Sequence, residues 1–309
     1  MEKEKVSFER MMAMQAGNAE LQSRLLDLIR SGLVELDMTP QYFEEFATRM
    51  VDAQLGSLGK RIRGWANLRE NNPDRWYEQL LSEMGTLYLF SKAFQNFDKL
   101  PERLQDELLS QVGVTTRTSD LFQQPSIEDE WLVLGHIKTP EPNNLTSRRT
   151  WFLGKNCKKI VLLLEYAFGT TEFTTLWFDN QVYSAQAVYY PAAYPLRVAF
   201  KSVDLAPSFS DFRGFSSFSI FLQTYSEALA QNPWLSQFPV ILTGVIPVFA
   251  HNGSYLIDVD NNVIQTEGRG LSIWSLLAQS GGRPMTVFGE WNGQSLVVLN
   301  AYKNNDLSV

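Results

Sequence analysis

Apolar residues return at helical spacing along the N-terminal part of the chain. Leu21, Leu25, Leu28 and Ile29 share one stripe, and Gly32 is a natural stop. Thr39-Pro40 joins a capping residue to a proline at the first helical position, where the missing N–H costs nothing. Phe43, Phe46, Ala47, Met50 and Val51 follow on one face, and Leu58, Ile62 and Trp65 predict a third helix. Asn72-Pro73 repeats the start signal ahead of Trp76, Leu80, Met84, Leu87 and Tyr88. Leu100-Pro101 opens a fifth helix through Leu104, Leu108 and Val112, closed by Gly113. Short connections between such helices predict an antiparallel helical array, without the strict period of a solenoid.

The pattern changes after Thr115–Ser126, a polar stretch with Pro125 near its end. Beyond it, Trp131–Ile137, Thr150–Leu153, Lys159–Phe168, Gln181–Tyr190 and Leu196–Phe200 are rich in aromatic and β-branched residues and read as strands. A polar, proline-bearing loop is expected between the first two. Phe218, Phe221, Leu222, Tyr225 and Leu229 predict a helix ended by Asn232-Pro233. Strands return at Val240–Phe249, Ser254–Val259, Met285–Gly289 and Ser295–Leu299, with a short helix over Leu271–Gln279 stopped by Ser280-Gly281-Gly282. Asn252-Gly253 and Asn292-Gly293 are hairpin signals, and Gly289–Gly293 as a whole reads as a turn around Trp291. The expected fold class is α+β: a helical domain over 1–118, then a mostly antiparallel β-rich domain with two helices over 127–309.

Composition adds constraints. The chain has 309 residues, of which 44% are apolar and 20% charged, and it carries 8 Trp, 20 Phe and 11 Tyr. That is enough apolar and aromatic surface for a substantial core. Only Met1–Lys5 and Asn304–Val309 look too polar to be anchored. The formal charge of −7 argues against nonspecific DNA coating. One cysteine excludes an intrachain disulfide framework and fits a reducing cytoplasm. No apolar signal-peptide region follows the first residues, and Ile160–Leu164 is too short to span a bilayer, so a cytoplasmic protein without a membrane partner is expected.

Candidate chemistry is sparse. Cys157 stands beside Lys155, Lys158 and Lys159, which could lower a thiol pKa, or it is an inert thiol next to a strand. His136 lies in an apolar strand and His251 beside a turn, with no nucleophile elbow in the sequence. Asp258-Val259-Asp260-Asn261-Asn262 opens like a calcium loop, but Val263 and Arg269 occupy the positions that need Gly and Glu. A strand ending in an Asp/Asn turn, with Val263 and Ile264 starting the return, is the better reading. Glu165, Asp179 and Glu290 are carboxylates that a fold could pair. Arg148, Arg149, Lys155, Lys158 and Lys159 surround Trp151 and Phe152. Such a pattern grips single-stranded nucleic acid, or it is the solvated face of a hairpin.

Several segments together resemble bacterial SWIM zinc-finger family proteins. Arg24–Leu33 is similar to the helix after the finger, and Arg49–Gln54 with Leu58 and Arg61 to the next one. Asp129–Gly135 and Arg148–Gly154 resemble the family's central block. Tyr189–Arg197, Asn232–Leu235, Ser280–Pro284 and Phe288–Gly293 resemble later stretches. The finger itself, Cys-x-Cys…Cys-x-His, is absent from this chain: Cys157, His136 and His251 cannot supply four zinc ligands. Either the chain is a fragment, or the finger is missing or carried by another polypeptide, and no metal or cofactor is expected. The resemblance implies a non-enzymatic adaptor or scaffold whose protein partners are a MoxR-like AAA+ ATPase and a von Willebrand A-domain protein. Candidate interaction residues are Arg148, Arg149, Trp151, Lys155, Lys158, Arg197, Glu290 and Trp291, whose alternative role is to hold the β domain together. A nucleic-acid module built on the basic-aromatic hairpin and a cryptic enzyme with a polar pocket are the alternative functions.

Overall fold

The structure is a computed structural model that describes residues 6–33, 36, 38–71, 73–209, 213–251 and 253–302. The two polar ends lie outside these residues, as do Asn72 and Asn252 of the turn signals. The chain divides into two compact units, Met1–Thr115 with Pro191–Ala193, and Thr116–Tyr190 with Tyr194–Val309.

The first unit is helical. The Ser7 hydroxyl accepts from the Arg10 N–H and starts α1 (Phe8–Ser31), which stops at Gly32 with φ 87°. The Thr39 hydroxyl accepts from the Tyr42 N–H at the head of α2 (Pro40–Asp52), with proline at the start as expected. Next come α3 (Gly56–Gly64), a 3-10 turn at Trp65–Asn67, and α4 (Leu68–Asn71). Trp65 therefore leaves the third helix and fills the core edge-on to Phe43 and Phe46, at 5.9 and 6.4 Å. Pro73 does not lead straight into a helix. Arg75 sits at φ −131°, outside the helical range, so residues 73–75 turn and α5 (Trp76–Phe94) begins at Trp76. The buried Asn18 amide donates to the Ser91 carbonyl at 3.1 Å and ties α1 to α5. A further helix, α6 (Glu102–Gln111), follows Pro101, and Gly113 ends it at φ 93°.

The second unit begins with a short helix, α7 (Thr118–Leu121), inside the polar stretch, where Leu121 is buried. Five strands follow: β1 (Ile127–Glu141), β2 (Leu145–Gly154), β3 (Ile160–Phe168), β4 (Val182–Tyr189) and β5 (Arg197–Ala206). The helix α8 (Phe218–Gln231) leads to five more: β6 (Phe238–Ala250), β7 (Gly253–Ile257), β8 (Val263–Glu267), then, after α9 (Ile273–Ser280), β9 (Met285–Trp291) and β10 (Ser295–Tyr302). The fold is α+β, as the change of hydrophobic period predicts. The proline-bearing loop is corrected: β1 runs on through Pro140, opposite Thr146, to Glu141. The turn is confined to residues 142–144, where Asn143 and Asn144 take φ of 61° and 55°. Asparagine tolerates that region well enough for a tight hairpin. Likewise Gly289–Trp291 belong to β9, and the turn starts only at Asn292, whose side-chain carbonyl accepts from the Gln294 and Ser295 N–H groups.

The strands close into two barrels, one in the order β1-β2-β3-β5-β4 and one in the order β6-β7-β8-β10-β9. Strand for strand, these are the same ring. Each has a three-strand meander, then a hairpin whose first strand pairs antiparallel with the meander's first. Each is completed by one parallel pairing of third and fifth strands, at Leu162↔Arg197 and Ser295↔Gln265. This is a five-stranded Greek-key barrel, built twice. In the second barrel α9 spans from third to fourth strand; in the first, residues 169–181 do so and bury Trp177 instead.

The barrels touch where β1 crosses β9 and β10. A Cβ at Gly135 would lie 3.0 Å from the Leu299 Cβ and 3.4 Å from the Phe288 ring. A side chain here would press on the opposite sheet, so glycine eases the close approach. Gly135→Val should therefore destabilise the second unit by about 1–3 kcal/mol through overpacking. Urea unfolding would show the loss; an unchanged midpoint would mean that the contact has room to spare.

Candidate functional site

The predicted residues converge on the seam between the barrels. Successive strand residues face opposite sides, so Arg148 and Arg149 of β2 part company. Arg149 reaches the second barrel. Its Nε and Nη2 donate to the two carboxylate oxygens of Glu290, both at 2.9 Å. The Trp151 indole N–H donates to the same carboxylate at 2.7 Å. Glu290 is 2% exposed and Trp151 fully buried, so this is a desolvated, fork-shaped pair with a third donor. Trp151 packs against Phe288 across the seam at 6.4 Å.

Arg148 stays within the first barrel and is also buried. It donates to Glu165 at 3.0 and 2.6 Å and to the Thr175 carbonyl at 2.8 Å, with its guanidinium 4.3 Å from the Phe173 ring centre. The Trp177 indole N–H completes the set on Glu165 at 3.0 Å. The two arginines thus hold carboxylates in different places and do not form one basic face with the lysines. Lys155 pairs with Glu130 at 2.6 Å, while Lys158 is exposed at the following turn. Arg197 lies over the Tyr190 ring at 4.2 Å. Trp291 is buried in the second barrel's core against Phe221 at 5.6 Å.

The three candidate carboxylates go to three different partners. Glu165 takes Arg148, Glu290 takes Arg149, and Asp179 meets the His136 Nδ1 at 3.1 Å. No carboxylate dyad forms among them. His251 is an exposed turn residue, and neither histidine is among the residues that line the cleft between the barrels. Burial, and then the Asp129 carboxylate beside it, push the Cys157 thiol up, which overrides the neighbouring lysine and leaves no activated thiol.

Asp129 and Asp258 have structural roles. Asp129 accepts from the Asn156 and Cys157 N–H groups at 3.0 and 2.8 Å and from the Asn156 amide at 2.7 Å, fixing the turn after β2. Asp258 accepts from the Asp260 and Asn262 N–H groups at 3.0 and 2.8 Å, and from the Phe218 N–H at 2.6 Å at the head of α8. The calcium-like segment is an Asp/Asn turn with its carboxylate spent on N–H donors, and β8 starts at Val263 as that reading expects. Among the described residues, no group of three or more His, Cys, Asp or Glu side chains could hold a metal ion.

Sequence reasoning gave no role to Asn300 and Tyr302. Both donate to the Leu134 carbonyl, at 2.9 and 3.0 Å, filling the gap beside the bulge of β1. Partners separated by 166 and 168 residues leave no local pattern to read.

The N-terminal helices have a counterpart among known families. Residues 9–112 match the family model of the SWIM-associated four-helix bundle domain, and the match ends ahead of β1. It includes the segments around Arg24–Leu33 and Arg49–Arg61 that carry the first part of the resemblance; the β-domain segments lie beyond it. No curated protein and no solved structure matched the chain. Among the described residues, no helix is long and apolar enough to cross a membrane.

Two measurements follow from the seam and the turns. Glu290→Ala strands Arg149 and the Trp151 N–H and should cost about 3–5 kcal/mol. Pairing Glu290→Leu with Arg149→Met should recover most of that loss in the same unfolding assay. Burial raises the carboxyl pKa values of Asp129 and Asp258, but the N–H donors outweigh it and hold both below the ordinary range. Their stabilisation is therefore full above that range and fades as pH falls through the lowered values. The melting temperature should be level near neutrality and drop below about pH 4. Asp258→Asn should flatten that drop, and a drop of unchanged steepness would assign it to other groups.

Proposed function

We propose, from the SWIM-associated bundle at residues 9–112, that the chain is a non-enzymatic adaptor whose helical unit docks a protein partner. One observation carries the reading. Between α1 and α5 lies a groove of about 220 Å³ lined by Leu26, Ile29, Leu81, Met84 and Tyr88 among others. Ile29 and Leu81 on it are 46% and 51% exposed. Apolar side chains gathered in an open groove mark a place for a partner's helix or loop. The MoxR-like AAA+ ATPase and the von Willebrand A-domain protein implied by the resemblance are the partners to which this reading commits. In the same reading, Arg148, Arg149, Trp151, Glu290 and Trp291 hold the β unit together and leave recognition to other surfaces.

The ring order of the strands favours a second reading, because five-stranded Greek-key barrels of this type also bind oligonucleotides. That reading requires affinity for a single-stranded oligonucleotide that falls steeply with salt.

Co-purification tests the first reading. The tagged chain should recover a MoxR-like AAA+ ATPase from its native cell. Ile29→Lys with Leu81→Lys should abolish recovery while changing stability by about 0.5 kcal/mol or less, as surface substitutions do. Failure of the unaltered chain to recover the ATPase, or recovery indifferent to the two lysines, would overturn it.

A further inference from the structure

The second unit contains a cleft of about 500 Å³ between its two barrels, a size suited to a small ligand. Its lining includes three cations, Lys158, Lys159 and Arg213. Among the described lining residues there is no carboxylate, in a chain whose total charge is −7. Apart from Gln231, the rest of the wall is aromatic and aliphatic, with Tyr189, Tyr194, Phe215 and Phe238 alongside Leu196 and Ile241.

Lys159 stands on fixed backbone. Lys159 follows the turn that Asp129 holds, and its N-terminal neighbours are tied by the Gly154 N–H donating to the Lys159 carbonyl at 3.0 Å. Its ammonium lies 5.7 Å from the Tyr189 ring centre. Arg213 comes two residues before Phe215, whose N–H donates to the Ile241 carbonyl and whose carbonyl accepts from the Thr243 N–H, both at 2.9 Å. The Tyr189 hydroxyl is buried and has no hydrogen-bond partner among the described residues. Burial raises its pKa to about 12, so it stays a neutral donor.

We infer that this cleft binds a small phosphorylated compound carrying a flat ring, of the nucleotide class. Lys159 and Arg213 would hold the phosphate, the Tyr189 hydroxyl would donate to one of its oxygens, and the aromatic wall would take the ring. Cations within low-dielectric walls concentrate such an anion despite the acidic whole. The site is separate from the helical groove of the adaptor reading, so either can fail without the other.

Calorimetric titration of the full chain tests this, with ADP as the probe and inorganic phosphate, adenosine and a single-stranded oligonucleotide as separate arms. ADP should bind at least about tenfold more tightly than phosphate or adenosine alone. Lys159→Glu with Arg213→Glu should weaken ADP by about tenfold or more, and these exposed residues should leave the melting curve in place. Tyr189→Phe, which keeps the ring, should weaken ADP several-fold. If the double variant does not fold, Lys159→Gln alone carries the same expectation. No heat with ADP up to about 1 mM, equal affinity for phosphate or adenosine, or indifference to the variants would each overturn the proposal. An oligonucleotide that binds far more tightly than ADP through Lys159 and Arg213 would overturn it in favour of nucleic acid.

Discussion

The Glu290 carboxylate is the most demanding group at the seam between the two barrels. A buried charge is tolerated only when it is paired and hydrogen-bonded. Here both donors come from the other barrel: the guanidinium of Arg149 and the indole N–H of Trp151. Neither barrel satisfies its own part of the set. Glu290 alone would be a desolvated anion on β9, and Arg149 alone a half-buried cation on β2. The arrangement fixes the register of one barrel against the other more sharply than apolar packing does, because fork-to-fork geometry allows few alternatives. Around it, the Trp151–Phe288 contact, the narrow passage at Gly135 and the Leu134 carbonyl shared by Asn300 and Tyr302 all require that same register.

The same residue types serve different ends a short distance apart. Arg148 and Arg149 are neighbours in sequence, yet one organises the inside of a barrel and the other the seam. Alternation along a strand is the whole cause. Lys155 is engaged by Glu130, whereas Lys159, past the next turn, lines an open cleft. The basic stretch that looked like one patch is therefore divided by backbone geometry into internal ties and a short cationic edge.

What the sequence made legible was local. Ser280-Gly281, Thr39-Pro40, Gly32 and the Asn292-Gly293 turn mark element ends that the structure keeps, because caps and left-handed positions depend on nearby atoms alone. Trp76 lies in its expected helix, which starts three residues later than Pro73 signals, and Trp65 falls in a 3-10 turn, because neither change alters the hydrophobic spacing. The strands after Trp131 were found but cut short, because Lys138, Thr139 and Pro140 look like loop residues and are held in β1 only by partners across the hairpin. The repeated ring was not visible at all. Strand order is a property of long-range pairing, and the two copies differ in strand length and in what joins third to fourth strand. The Arg149–Glu290 tie is hidden for the same reason, with 141 residues between its partners.

The parallel closure of each barrel also orders events in time. A ring of this kind cannot shut until its fifth strand exists, for that strand alone joins the third to the fourth. During synthesis the first ring is complete once β5 has emerged, whereas the second waits for β10. Until then Arg149 and Trp151 face solvent on a finished barrel, with no carboxylate to receive them. Glu290 therefore acts as a late latch, and the nascent chain passes through a stage in which one barrel is whole and the face that meets the other is still uncovered.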